Sequence, residues 1–183
     1  CVAAIHENAE KFDVRTEELF KYLQIFTAIC DSFSHGANDV ANAIGPFAVI
    51  WAIFQAGELD KKTDMGTDAY WILALGGVGI ALGLLVYGHK ITRAIGEKLC
   101  KITPSRGTAI ELGSALVIII GSRLGLPLST THCQVGATVG VGLLEGRAGV
   151  NRWICGKTVL GWVVTCAIVG LTSGVPGSYT HLT

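Results

Sequence analysis

The chain alternates long apolar runs with short charged stretches, and the runs differ in how clean they are. Two read as plain spans, residues 69–87 and 153–172. Two others, 18–55 and 108–144, are apolar at both ends with a polar, helix-breaking stretch between. Between the first plain run and the second broken one, 88–107 is amphipathic and basic, with Lys90, Arg93, Lys98, Lys101 and Arg106 against Glu97. The predicted order is broken helix, plain span, basic surface segment, broken helix, plain span. The first broken run is too long for one straight crossing. About 37 residues at ~1.5 Å each extend on the order of 55 Å, against an apolar layer of ~30 Å. The pattern therefore predicts a half-helix before "CDSFSHGANDVANAIGP" (30–46) and a longer helix after it, with Ser34 or Gly36 capping a start near Ala37.

Composition fits that reading. Half of the 183 residues are hydrophobic and only 15% are charged, well under the ~25% of soluble domains. The class is an all-α, multi-pass membrane protein with two interrupted, re-entrant helical hairpins and plain transmembrane helices. Residues 1–18 read as a loop or surface-helix remnant, 19–175 as the membrane-embedded unit and 176–183 as a tail. Many of the 24 glycines fall inside apolar runs, where small residues let membrane helices approach closely. The six cysteines are scattered with no C-x-x-C pair and read as small core residues, neither a disulfide framework nor a zinc site. Net charge is zero, so nothing favours nucleic acid. The chain begins at Cys1 with no signal peptide, which predicts the C-terminal part of something longer.

Charge asymmetry sets orientation. The 57–68 loop is acidic on balance, whereas 88–107 and the Arg147–Arg152–Lys157 region are basic. Lys and Arg favour the cytoplasmic face, so both basic regions belong there. The second broken segment then enters and leaves on one face.

The two breaks carry the chemistry. Irregular backbone at membrane depth persists only where it is buried in protein or lines a watery cavity, and paired interrupted segments point to a transporter's binding site. In "GSRLGLPLSTTHCQVGA" (121–137), Pro127 ends one chain direction and Ser129 is a good N-cap for a helix starting near Thr130. Three hydroxyls (Ser129, Thr130, Thr131) beside free amides at a positive helix end suit an anion, although an ordinary capped helix start has the same letters. In the first motif, Asn38 and Asn42 share a helical face with Asp39 adjacent. A carboxylate there would repel an anion unless it holds a small hard cation with the amide oxygens. Asp31, His35, His132 and Glu111 are lesser candidates. The histidines read as structural, and Glu111 as an interface residue or a buried partner for Arg106 or Arg123.

"GANDVANAIGP" (36–46) and "PLSTTHCQVGA" (127–137) resemble the two signatures of the inorganic phosphate transporter family, and "TPSRG" (103–107) resembles its junction before the second. The resemblance extends from about Phe20 to about Gly174. It implies a fold of two inverted repeats, each with one copy of both motifs. This chain has one copy of each, so it resembles the C-terminal repeat, and a complete site needs the N-terminal repeat or a second copy; a homodimer is left open. It implies phosphate at Ser129, Thr130, Thr131 and Asn38, and a coupling cation at Asp39, Asn38 and Asn42. Ser34 and Gln134 follow the variant that tilts the ion toward Na⁺ over H⁺, with no other cofactor and the plasma membrane as the expected location. The function expected is ion-coupled phosphate transport. A non-transporting binding or receptor module is the alternative. A membrane hydrolase built on Ser129 with His132 or His35 and Asp39 is weaker, since no G-x-S-x-G elbow surrounds Ser129.

Overall fold

The computed structural model describes residues 2–56, 70–146 and 148–180. All regular structure among them is helical: α1 (Val2–Asn8), α2 (Val14–Ala56), α3 (Tyr70–Gly83), a π-helical turn (Leu84–Gly88), α4 (His89–Lys98), α5 (Pro104–Arg123), α6 (Thr130–Leu143) and α7 (Arg152–Thr180). The acidic 57–68 loop and Arg147, on which part of the orientation reading rests, lie outside the described residues. Three helical stretches are long and apolar enough to cross a membrane: Val14–Gln55, Tyr70–Lys98 and Arg152–Gly174.

The expected break in the first long run is not there. α2 is one helix of 43 residues that passes through the whole polar motif, with Pro46 inside it. Two local arguments for a break fail for identifiable reasons. Length does not force one, because the first turns of α2 carry Glu17, Glu18 and Lys21 and belong to the charged end of the chain. Nor do the polar residues, because their partners come from another helix pair, as described below. Ser34, expected as a cap, instead donates its hydroxyl to the Cys30 carbonyl four residues back, within the helix (2.9 Å). Pro46 lacks an N–H, a defect that membrane helices tolerate when neighbours satisfy the freed groups.

The second break is real. α5 ends in a Schellman motif: Leu126 N–H donates to Gly121 O (2.9 Å) and Gly125 N–H to Ser122 O (3.2 Å). Gly125 sits at φ +68°, a backbone conformation that needs glycine. Pro127 follows, and α6 opens at Thr130 with Ser129 as its N-cap, as the sequence predicted. α5 and α6 thus form a hairpin around a six-residue turn, 124–129. α5 itself starts at Pro104, four residues before the expected boundary, with extended Thr103 as its N-cap. The plain span and the basic segment are joined without interruption, through the π-helical turn.

The hairpin packs against α2, mainly through α5, and α3 packs on the other part of α2. Ile44 and Ile72 join those two helices, with Trp71 edge-on to both Phe47 and Trp51. A second apolar group, Leu99, Val135 and Val150, ties the α4–α5 loop to α6 and the start of α7. Of the cysteines, Cys100 is buried, but Cys30 and Cys166 are exposed on helices and so are not core residues. Large parts of α2, α3 and α7 display Leu, Ile, Val and Phe outward, as surfaces do that face lipid or further protein.

One ion pair fastens the charged end. Arg106, 6% exposed, meets Glu145, 14% exposed, while also donating to Glu10 O (3.0 Å) and stacking its guanidinium over Phe12 (4.7 Å). It thereby holds the segment after α1 against the hairpin's base. Removing one partner of a buried pair strands the other charge at a cost of about 3–5 kcal/mol, whereas replacing both with apolar residues is often near neutral. Glu145→Gln should therefore lower thermal stability in detergent strongly, and Arg106→Met with Glu145→Leu should recover most of it. Equal melting of the single and double variants would show that the pair does not fasten this end.

Candidate functional site

The polar residues of α2 recur at 31, 35, 38, 39 and 42, a spacing that puts them on one side of a helix. That side meets the α5–α6 turn. Asn38 Nδ2 and Asn42 Nδ2 both donate to the carbonyl oxygen of Leu128, at 3.1 and 3.2 Å. Ser122, near the end of α5, donates to Asn38 Oδ1 (3.2 Å). Two residues beyond Leu128, at the start of α6, Thr130 Oγ1 donates to Asp39 Oδ1 (2.7 Å). The other carboxylate oxygen of Asp39 lies 3.2 Å from His35 Nε2, one helical turn back. The turn can come this close because Gly121 has no side chain: the Leu128 side chain lies over the place its Cβ would fill.

The structure thus brings together Asn38, Asp39, Asn42 and Thr130 of the expected site, from two helices some 90 residues apart in sequence. Ser129 is adjacent but differently engaged: its Oγ accepts from His132 N–H (3.4 Å) and lies 2.6 Å from His132 Nδ1. Thr131 is exposed at the start of α6. Beside this contact lies a cleft of about 650 Å³, lined by Phe33, Asn38, Asn42, Ser122, Arg123 and Pro127 among others.

Three participants were missed from sequence. His35 read as structural, and its contact with Asp39, foreshadowed by the i, i+4 spacing, leaves that reading standing. Ser122 and Arg123 were not singled out as site residues. The Leu128 carbonyl has no sequence signal at all. Glu111 pairs with neither arginine; it accepts from Thr27 Oγ1 of α2 (2.6 Å), and Arg106 takes Glu145. Asp31 is buried, with its Oδ1 unpaired among the described residues.

The groups suit ion binding better than nucleophilic catalysis. A Ser–His–Asp relay needs the acid on the imidazole that faces the serine. Here Ser129 and His132 are paired, but Asp39 holds His35, and the His132 ring stacks on Trp162 instead (3.6 Å between centroids, 25° between planes). Conversely, the Asp39 carboxylate and the amide oxygens of Asn38 and Asn42 share one side of α2, the kind of ligand a hard cation takes. Hydroxyls and unpaired N–H groups stand at the start of α6, the kind of donor an anion takes.

The family described as "Phosphate transporter family" matches residues 1–173. The chain is 42% identical over 174 residues to the phosphate-repressible phosphate permease pho-4 of Neurospora crassa, covering 94% of this chain and 29% of that protein. It is 42% identical over 171 residues to sodium-dependent phosphate transporter 1 of Xenopus tropicalis, covering 93% and 24%. A solved structure titled "The sodium-dependent phosphate transporter" superposes with a TM-score of 0.71 at 41% identity, over 86% of this chain and 39% of that one. The chain therefore spans less than a third of the length of these two curated relatives.

The grip of α2 on the turn is testable apart from function. Asn38→Ala and Asn42→Ala each leave Leu128 O one side-chain donor; together they leave none. Each single loss should cost about 0.5–1.5 kcal/mol, and the double variant more than their sum, because a carbonyl left with neither donor adds its own penalty. Amide hydrogen exchange across 124–129 reads this directly. Additive or smaller effects would mean that the turn is held by its own helices.

Proposed function

The chain belongs to the phosphate transporter family, and on that footing we propose that it contributes to ion-coupled transport of inorganic phosphate across a membrane. We read it as the C-terminal repeat of a two-repeat symporter in the plasma membrane, with a preceding repeat or a second copy completing the site. The observation that carries the reading is the Thr130–Asp39 contact, where the two signature motifs meet at 2.7 Å.

That contact also suggests how cation and anion are coupled. Thr130 has one hydroxyl proton, and here it is given to Asp39. A Na⁺ ion taken by Asp39, with amide oxygen from Asn42 or Asn38, would satisfy the carboxylate and release that proton. The hydroxyl then turns toward phosphate, joined by Thr131, Ser129 and the first N–H groups of α6. Cation and anion are desolvated together, each easing the burial of the other. Na⁺ over H⁺ is supported by the sodium-dependent transporters to which the chain is similar. The α5–α6 hairpin, with its polar turn against α2, fits a re-entrant element that enters and leaves on one face.

Labelled-phosphate uptake across a Na⁺ series, in the transporter expressed with both repeats, tests the roles. Asp39→Asn keeps size and one carbonyl oxygen but loses the charge. It should raise the half-saturating Na⁺ by roughly 10- to 100-fold, the worth of one charged contact. Thr130→Ala should raise the phosphate concentration for half-maximal uptake by a similar factor, with Thr130→Ser close to wild type. A wild-type Na⁺ dependence in Asp39→Asn would sink the cation role.

A further inference from the structure

The Ser129–His132–Trp162 contact is used by nothing so far described. Ser129 Oγ has one proton to give and two positions at which to accept. One is occupied by His132 N–H at 3.4 Å, and His132 Nδ1 stands at 2.6 Å. Two arrangements satisfy that short distance. If Nδ1 accepts, it consumes the serine proton, and the hydroxyl can offer only a lone pair to its surroundings. If Nδ1 carries a proton and donates, both accepting positions of Oγ are filled. The serine proton is then turned away from His132 and left free for an acceptor outside the pair.

The ring cannot turn freely to choose another partner. It lies 3.6 Å from the indole of Trp162, nearly parallel at 25°. Trp162 comes from α7 and packs with the Leu99–Val135–Val150 group, so it is held from behind. The clamp fixes the imidazole plane, and with it the line from Nδ1 to Ser129.

We propose that His132 is a positioning residue for oxyanion recognition. As an Nδ1–H donor clamped on Trp162, it turns the Ser129 hydroxyl into an obligate donor toward a tetrahedral oxyanion. The inference rests on the phosphate reading above. It adds the residue that sets the polarity of one anion ligand, and it makes α7 part of the site's support. A merely structural histidine would serve through its ring; here the nitrogen does the work.

Two substitutions separate ring from nitrogen. His132→Asn places an amide where Nδ1 stands but loses the ring; His132→Phe keeps the stack on Trp162 but loses the donor. In the transporter expressed with both repeats, His132→Phe should raise the phosphate KM about 10-fold, the worth of one hydrogen bond to a charged ligand. Its maximal rate should stay within about 2-fold and its Na⁺ dependence should not move, while His132→Asn stays near the wild-type KM. Tolerance of Phe with loss in Asn, or equal behaviour of both, overturns the proposal. A second readout needs no transport: nitrogen NMR of the wild-type protein labelled in histidine should show a proton on His132 Nδ1. A bare Nδ1 overturns the proposal even where uptake is intact. Absence of Na⁺-driven phosphate uptake in the wild type overturns the transport reading and this inference with it, and is distinguished by affecting every variant alike.

Discussion

A helical hairpin leaves polar backbone at its turn that neither of its helices can satisfy, and in this chain one carbonyl bears the consequence. Leu128 O lies past the Schellman end of α5 and before the N-cap of α6, outside both hydrogen-bond ladders. Asn38 and Asn42 of α2 reach it from one side. Where it is shielded from water an unpaired carbonyl costs several kcal/mol, so these two bonds favour one register of the hairpin on α2. Everything near the site follows from that register. One turn of α2 places Asp39 against Thr130, the next back places His35 against Asp39, and the end of α5 places Ser122 against Asn38.

The same constraint explains why α2 is continuous. A break in it would have satisfied its polar residues locally and left the α5–α6 turn without partners. A continuous helix presents asparagine, aspartate and histidine as a rigid polar stripe, and the irregular backbone is confined to the hairpin. One element is stiff and supplies side chains; the other is irregular and supplies backbone groups, hydroxyls and a helix end. On the proposed reading, cation and anion meet at the seam between these two kinds of element. A movement of the hairpin relative to α2 would then alter both sites at once.

How far the residues announced this differs between the two motifs. Pro127 and Ser129 each act on their own neighbours, through a missing N–H and a cap. Their meaning was legible in sequence, and the turn fell where they put it, with Gly125 supplying the left-handed residue. The residues of the first motif gave the same kind of signal, glycines and a proline among polar side chains, and there it misled. Their partners are about 90 residues away, so no local rule could show that the helix survives them. The all-helical fold was readable from the apolar runs. That Asn38, Asp39 and Asn42 share a face, and that the two polar stretches form one site, followed from spacing and from the paired interruptions; the family resemblance added which ion each side would take. The roles of Ser122 and Leu128 O follow only from tertiary packing.

His35 and His132 show how the same residue type divides between the two sides of the seam. His35 faces a carboxylate, and its Nε2 lies 3.2 Å from the Asp39 oxygen that Thr130 leaves free. His132 faces a hydroxyl and an aromatic ring, with no acid in contact among the described residues, and on the proposed reading it sets whether the Ser129 hydroxyl gives its proton to the ring or outward. On the proposed reading, the first histidine borders the cation's carboxylate and the second borders the anion's hydroxyl. Charge alone would favour one ion at the other's expense, whereas hydroxyl polarity can favour the anion without adding a positive charge that repels the cation.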